Sequence, residues 1–299
     1  MFVSYKNGNY QVLLNLKNGT KIRYNDEDEI IPNRPESIDV KITNQCLHNC
    51  VFCHENSNQF GKVASLEAMK DFTKSLPVYT EIAVGGGDLM LSPVHTEVFL
   101  KMLKEVKAIP SITIRQSDFI KHIPLIQEWK KNNLIYGIGI SYDGYRNEEL
   151  FSLLENFPTA VVHVIAGILT EHDYKILRGH NLKMLILGYK IKGRGSDFWK
   201  QESDQISANI KDLAEHFDDF KNDFGTVAFD NLALKQLDVK NKMAQDDWEK
   251  YYCGDDGQYT FYVDLVEQQF SYSSTNPNRI DIGGRTVQEM FDVVRDNWR

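Results

Sequence analysis

The sequence predicts an α/β protein in which six strand–helix units form a parallel sheet with helices packed outside it. Three observations carry this expectation. Short apolar, β-branched runs recur at residues 38–42, 80–84, 112–115, 135–141, 160–166 and 183–189. Segments with apolar residues at helical spacing lie between them. Several of the runs are almost continuously apolar, as strands buried inside a parallel sheet are. Six units fall short of a complete eight-fold barrel, so the pattern fits an open six-stranded barrel or a doubly wound sheet. Both place chemistry at the C-terminal ends of the strands.

Residues 1–36 read as a separate β appendage. Three strand-like runs, 2–6, 10–16 and 21–24, are separated by Asn7-Gly8 and Asn18-Gly19, pairs that favour the positive-φ turns of hairpins. An acidic stretch from Asp26 to Glu29 then leads to Pro32 and Pro35, the expected boundary. The strand–helix series occupies residues 37–240. Ser65 is placed to cap a helix through Lys74. Ser92-Pro93 opens a second helix, with Val94, Val98, Met102 and Val106 along one face. Asp118 is placed to cap a third, and Pro124 to break it. Further helices are expected over 148–155, 171–179 and 203–221. Residues 227–234 are expected to add a strand. The segment 241–299 reads as a C-terminal extension, with a hairpin at 259–266 and 269–273 and an amphipathic helix at 286–298.

Bulk composition narrows the function classes. The net charge of −8 argues against broad binding to a phosphate backbone, although a local basic patch stays possible. No apolar run is long enough to span a bilayer, and the opening residues lack a signal-peptide core, so no membrane role and a cytoplasmic location are expected. Only four cysteines occur. Three of them, Cys46, Cys50 and Cys53, fall within eight residues, which suits metal or redox chemistry better than a disulfide framework.

The segment Cys46-Leu47-His48-Asn49-Cys50-Val51-Phe52-Cys53 directly follows the first strand of the series. Three thiolates on one loop, with no fourth cysteine nearby, can hold three irons of a [4Fe–4S] cube and leave one iron open. A structural zinc on Cys46, Cys50, Cys53 and His54 is the main alternative, but zinc sites usually join two short ligand pairs and no second pair exists here. A thioredoxin-like pair, Cys50 with Cys53, leaves Cys46 unexplained.

This spacing, with an aromatic residue at Phe52, resembles the cluster loop of the radical S-adenosylmethionine (SAM) superfamily. By motif order the resemblance covers roughly residues 37–240. It implies a partial (β/α)6 TIM-type barrel and a [4Fe–4S] cluster on Cys46, Cys50 and Cys53. It also implies reductive cleavage of SAM to a 5′-deoxyadenosyl radical that takes hydrogen from a peptide, nucleotide or small metabolite. An electron donor such as flavodoxin or ferredoxin is implied with it. The second strand ends Val84-Gly85-Gly86-Gly87-Asp88-Leu89, a variant of the Gly-Gly-Glu-Pro motif that contacts SAM in this superfamily, with the register open by one residue. The fourth strand ends Ser141-Tyr142-Asp143-Gly144, similar to a Ser-x-Asp-Gly strand end in several branches, which would put Ser141 on SAM and Asp143 at the barrel mouth. An ordinary Asp-Gly turn explains the same residues. Gln116, with Arg115, ends the third strand and is a candidate contact to SAM or substrate. Ile165 on the fifth strand is a candidate adenine contact. Lys190, in the basic glycine-containing loop 189–195, is a candidate for a carboxylate or phosphate, unless that loop is simply solvated. Asp143 and Cys253 are the candidate catalytic residues; a packed thiol is the simpler reading of Cys253. An activator of glycyl-radical enzymes and a non-catalytic zinc module are the alternative functions.

Overall fold

The computed structural model describes residues 2–27 and 29–296. Among these, thirteen strands form two sheets. The first sheet is the appendage: β1 (Phe2–Asn7), β2 (Tyr10–Asn15) and β3 (Lys21–Tyr24), all antiparallel. Gly8 makes the first turn at φ +58°, and a Cβ there would lie 1.8 Å from the Ile31 carbonyl oxygen, so glycine is required. This sheet docks through a buried charge. Glu36, with no exposed surface, accepts from Tyr10 Oη at 2.5 Å and from Arg23 Nε at 2.8 Å, and pairs with Lys21 at 3.2 Å. Burial would raise the Glu36 carboxyl, but Lys21 and Arg23 hold it below the usual carboxylate range.

The second sheet holds the remaining strands: β4 (Ser37–Thr43), β5 (Glu81–Gly86), β6 (Ile109–Arg115), β7 (Gly137–Ser141), β8 (Ala160–Ile165), β9 (Lys183–Leu187), β10 (Thr226–Phe229), β11 (Thr260–Asp264), β12 (Gln269–Ser271) and β13 (Ile280–Asp281). Their spatial order is β10-β9-β8-β7-β6-β5-β4-β11-β12-β13, parallel from β10 to β11 and antiparallel beyond. The run from β4 to β10 is strictly sequential. It lacks the reversal of strand order that defines a doubly wound sheet, so that alternative is set aside. The edge strands β10 and β13 do not pair, and the sheet is open.

Side-chain alternation gives the sheet two unlike faces. Ile38, Val40 and Ile42, Ile82 and Val84, Ile112 and Ile114, Ile138 and Ile140, Val162 and Val164, and Met184 and Ile186 are all buried in the two main apolar clusters. Full burial of such a side chain contributes about 1.5–3 kcal/mol, so this layer dominates the fold's stability. The other face carries Asp39, Ala83, Gly85, Ser111, Thr113, Arg115, Gly137, Ser141 and His163 beside the buried Lys41 and Gly139, and turns apolar on β8 and β9 with Val161, Ile165, Leu185 and Leu187.

The helices begin with α1 (Leu66–Lys74), capped by Ser65 as expected, and α2 (Pro93–Glu105), where Ser92 makes no side-chain cap bond. The expected Asp118 cap is not one. A short α3 (Gln116–Lys121) begins two residues earlier, and a new helix, α4 (Ile123–Lys131), begins with Pro124 in its first turn. Then come α5 (Asn147–Leu154) and α6 (Glu171–Leu177), with Thr170 and Asp173 forming a capping box. The long helix α7 (Arg194–Glu215) starts nine residues before the expected 203, because a first segment of about two turns and the rest are joined across a non-helical Glu202. The expected strand over 227–234 splits into β10 and a helix, Asn231–Gln236, capped by Asp230. The C-terminal hairpin forms as β11 and β12, and β11 also joins β4 in the main sheet. The final helix is Val287–Asp296; residues 297 and 298 of the expected span lie outside the described residues, as does Asp28 of the acidic stretch. No helix among the described residues is long and apolar enough to cross a membrane.

Candidate metal and cofactor site

The C-terminal ends of β4 to β9 gather most of the residues singled out by sequence. The pairing of β4 with β5 shifts register between Lys41 and Thr43, and the chain then turns into the cysteine loop. Two glycines of the Gly85-Gly86-Gly87 strip press on this turn. Gly87 N–H donates to Thr43 O and Asp88 N–H to Gln45 O, each at 2.7 Å. A Cβ on Gly87 would sit 2.2 Å from Gln45 O, and one on Gly86, at φ +132°, 2.3 Å from Thr43 O. Gly85 differs: a Cβ there would meet nothing within 4 Å, so its backbone stays open on the polar face.

Cys46, Cys50 and Cys53 are half-buried free thiols. Burial pushes the Cys46 thiol up, and the nearby charges of Asp88, Cys50 and Cys53 add to that. Among the described residues, however, His48, Asp88 and Asp118 are the only three such donors whose ligand atoms all lie within 4.8 Å. Two thiolates on one tetrahedral zinc stand about 3.8 Å apart, from Zn–S bonds of about 2.3 Å. Each thiolate of a cube binds a different iron, so cube ligands stand further apart. The three cysteine sulfurs do not form so close a group, and the fit to a cluster rests on the donor set alone, three thiolates on one loop.

The loop is fastened from far along the chain. Arg194, at the start of α7, donates from Nε to Cys50 O at 2.9 Å and from Nη1 to Ser57 O at 2.8 Å, and its N–H donates to Cys53 O at 3.0 Å. Gly193, at φ +52°, lets this strand approach: a Cβ there would lie 2.7 Å from Cys53 O and His54 O. The basic loop 189–195 thus serves partly as a clasp for the cysteine loop, a role its sequence did not suggest. At the loop's trailing end, Glu55 pairs with Lys41 at 2.8 Å and accepts from Tyr262 Oη at 3.3 Å. Inside the loop, His48 Nε2 lies 2.6 Å from Asp118 and 3.6 Å from Asp88. Asp88 also accepts from Met90 N–H, and burial together with Asp118 raises its carboxyl.

Gln116 is fully buried and its hydrogen bonds are internal. Its amide donates to Tyr145 O and Asn147 Oδ1, and its oxygen accepts from Asp143 N–H. Asp143 accepts from Arg115 Nε at 2.5 Å, from Ser117 Oγ at 2.7 Å and from Tyr145 N–H at 3.0 Å. Burial alone would raise the Asp143 carboxyl, but these donors hold it below the ordinary range, so it stays ionised. Ser141 sits between Arg115 and His163 in the register. Burial lowers His163 to about 4 and keeps its ring neutral; the ring packs where a Cβ of Gly139 would be. Ile165 pairs with Leu187 at the end of β8. Lys190 Nζ lies 3.2 Å from Ser274 Oγ. Cys253 is exposed and stands apart from the other cysteines, its carbonyl beside Arg23 of the appendage.

Asp39 was not singled out by sequence. Protein crowds it enough to lift its carboxyl to about 6, with Lys190 acting in the opposite direction, yet its side chain still meets solvent. It makes no hydrogen bond or ion pair with any described residue. The alternation Ile38-Asp39-Val40-Lys41-Ile42 was the available signal, since it puts two charges on one face of an otherwise apolar strand.

No known family model matches the chain, and no curated protein shows significant similarity to it.

Proposed function

We propose that the chain is a radical SAM enzyme built on a partial (β/α)6 TIM-type barrel, with Cys46, Cys50 and Cys53 holding a [4Fe–4S] cluster. The observation that carries this reading is the cysteine loop itself. Three free, half-buried thiols on one loop sit at the C-terminal end of the first of seven sequential parallel strands. Beside them, on β4 to β7, the face is mostly small or polar, which suits a cofactor pocket at the strand ends. With SAM bound, such a cluster supplies one-electron cleavage to a 5′-deoxyadenosyl radical that abstracts hydrogen from substrate.

The chain's own residues hold and shape the site. Arg194 fixes the backbone of the cysteine loop. Gly86 and Gly87 bring β5 against its entry, while Gly85 leaves backbone open to an approaching cofactor. Ser141, Ile165 and Lys190 stand at neighbouring strand ends, as candidate contacts to SAM. Asp39, unpaired on the polar face, is placed to meet substrate. An external donor such as flavodoxin or ferredoxin would deliver the electron.

Anaerobic reconstitution with iron and sulfide tests the reading. The expected product is a brown protein with about four irons, which releases 5′-deoxyadenosine on addition of dithionite and SAM. Serine at any one of Cys46, Cys50 or Cys53 should abolish both. A colourless protein that holds one zinc, or one divalent ion on His48, Asp88 and Asp118, would overturn it.

A further inference from the structure

We propose that Arg115 is a positioning residue for electron entry, donating a hydrogen bond to Cys50 that raises the reduction potential of the cluster, and that Asp143 holds it in place. This rests on reading the three cysteines as cluster ligands. Arg115 ends β6 on the polar face, and its Nη1 lies 3.3 Å from Cys50 Sγ, within hydrogen-bond range for sulfur. The guanidinium is not free to turn away. Its Nε is bound to Asp143 Oδ2, which also takes the Ser117 hydroxyl, while Oδ1 takes Tyr145 N–H. Gln116 closes the frame by accepting from Asp143 N–H and donating to Tyr145 O. One partly buried polar network therefore aims the guanidinium at one ligand sulfur.

The physical consequence has a definite sign. Reducing the cluster adds one electron, much of whose charge reaches the sulfurs. An N–H donor and a positive charge beside Cys50 stabilise that more negative state, so the midpoint rises. Asp143 partly offsets the charge but leaves the donor in place. The step is electron transfer only: an external one-electron donor is oxidised as the cluster is reduced, and no bond is made or broken.

The test is a redox titration of the reconstituted full-length protein with dithionite as reductant, read by the EPR signal of the reduced cluster. Arg115→Met removes donor and charge. At a potential fixed at the wild-type midpoint, its ratio of reduced to oxidised cluster should fall about tenfold, equivalent to about 59 mV for one electron. Arg115→Lys keeps the charge without the fork and should recover part of the shift. The midpoint is read from clusters that assemble, so incomplete loading does not mask it. An Arg115→Met protein that titrates with the wild-type midpoint overturns the proposal. A wild-type protein that assembles no cluster would instead sink the reading of the cysteines.

Discussion

Arg194→Met isolates what holds the cysteine loop. The variant keeps most of the aliphatic stem and removes the guanidinium. Two hydrogen bonds from a charged donor to backbone carbonyls disappear, those to Cys50 O and Ser57 O, together with a longer one at 3.3 Å to Asn56 Oδ1. At about 1.5 kcal/mol for each of the two short bonds, the loss is about 3 kcal/mol. The bond from Arg194 N–H to Cys53 O is backbone and survives. The cost therefore falls on local opening of the loop more than on global unfolding. A loss of 3 kcal/mol corresponds to roughly 100-fold faster opening-limited exchange, at about 1.4 kcal/mol per tenfold. Hydrogen exchange read by mass spectrometry on peptides covering residues 46–58 measures this directly. Peptides from β7 and α4 serve as internal controls and should be unchanged. If residues 46–58 exchange at the wild-type rate in Arg194→Met, the loop is held by something else and the clasp has no energetic weight.

Glu36→Gln should destabilise the protein by about 3 kcal/mol in urea unfolding, because Arg23 loses its buried counter-charge. The folded Glu36 carboxyl lies below its ordinary 4.5, so its contribution is present above that pH and lost as pH falls through the depressed value; the variant should not show this acid-side loss. Gly87→Ala should displace the loop entry, because its Cβ would lie 2.2 Å from a backbone oxygen, and should lower reconstituted iron. Gly85→Ala, whose Cβ would enter open space, should fold and load normally but weaken SAM binding measured by calorimetry. Asp39 titrates upward, to about 6, so its ionised form works against folding. Asp39→Asn should therefore raise Tm at pH 8, with the gain shrinking toward pH 4; an equal gain at both ends would mean that its charge is not the cause.

The parallel sheet was legible because its outward residues are so uniformly branched. Ile38, Val40, Ile82, Val84, Ile112, Ile114, Ile138 and Ile140 need only a period of two to be read. The cysteine loop and the Gly85–Gly87 strip were legible because each is contiguous. Strand order was not, since an open barrel and a doubly wound sheet share the same local pattern and differ only in which strands are neighbours. The clasp was hidden for a related reason: Arg194 and Cys50 lie 144 residues apart, and a basic glycine-rich loop looks the same whether it faces an anion or a carbonyl. Asp118 shows the limit of capping rules. The residue type was right for a cap, but its carboxylate is engaged by His48 and the helix starts before it. The internal partners of Gln116 and Asp143 likewise depend on how the turn at 142–147 meets the end of β6, a contact that no local motif announces.

The strand that leads into the cysteines is flanked on one side by β5 and on the other by β11, where Thr260 lies beside Ser37. During synthesis that second neighbour, β11 (Thr260–Asp264), emerges long after β4 (Ser37–Thr43). Until then the strand presents an unpaired edge, and the hairpin that completes it must be recruited across most of the chain, a long-range pairing that slows folding. C-terminal truncations that remove β11 should therefore leave the cysteine loop without its rigid base.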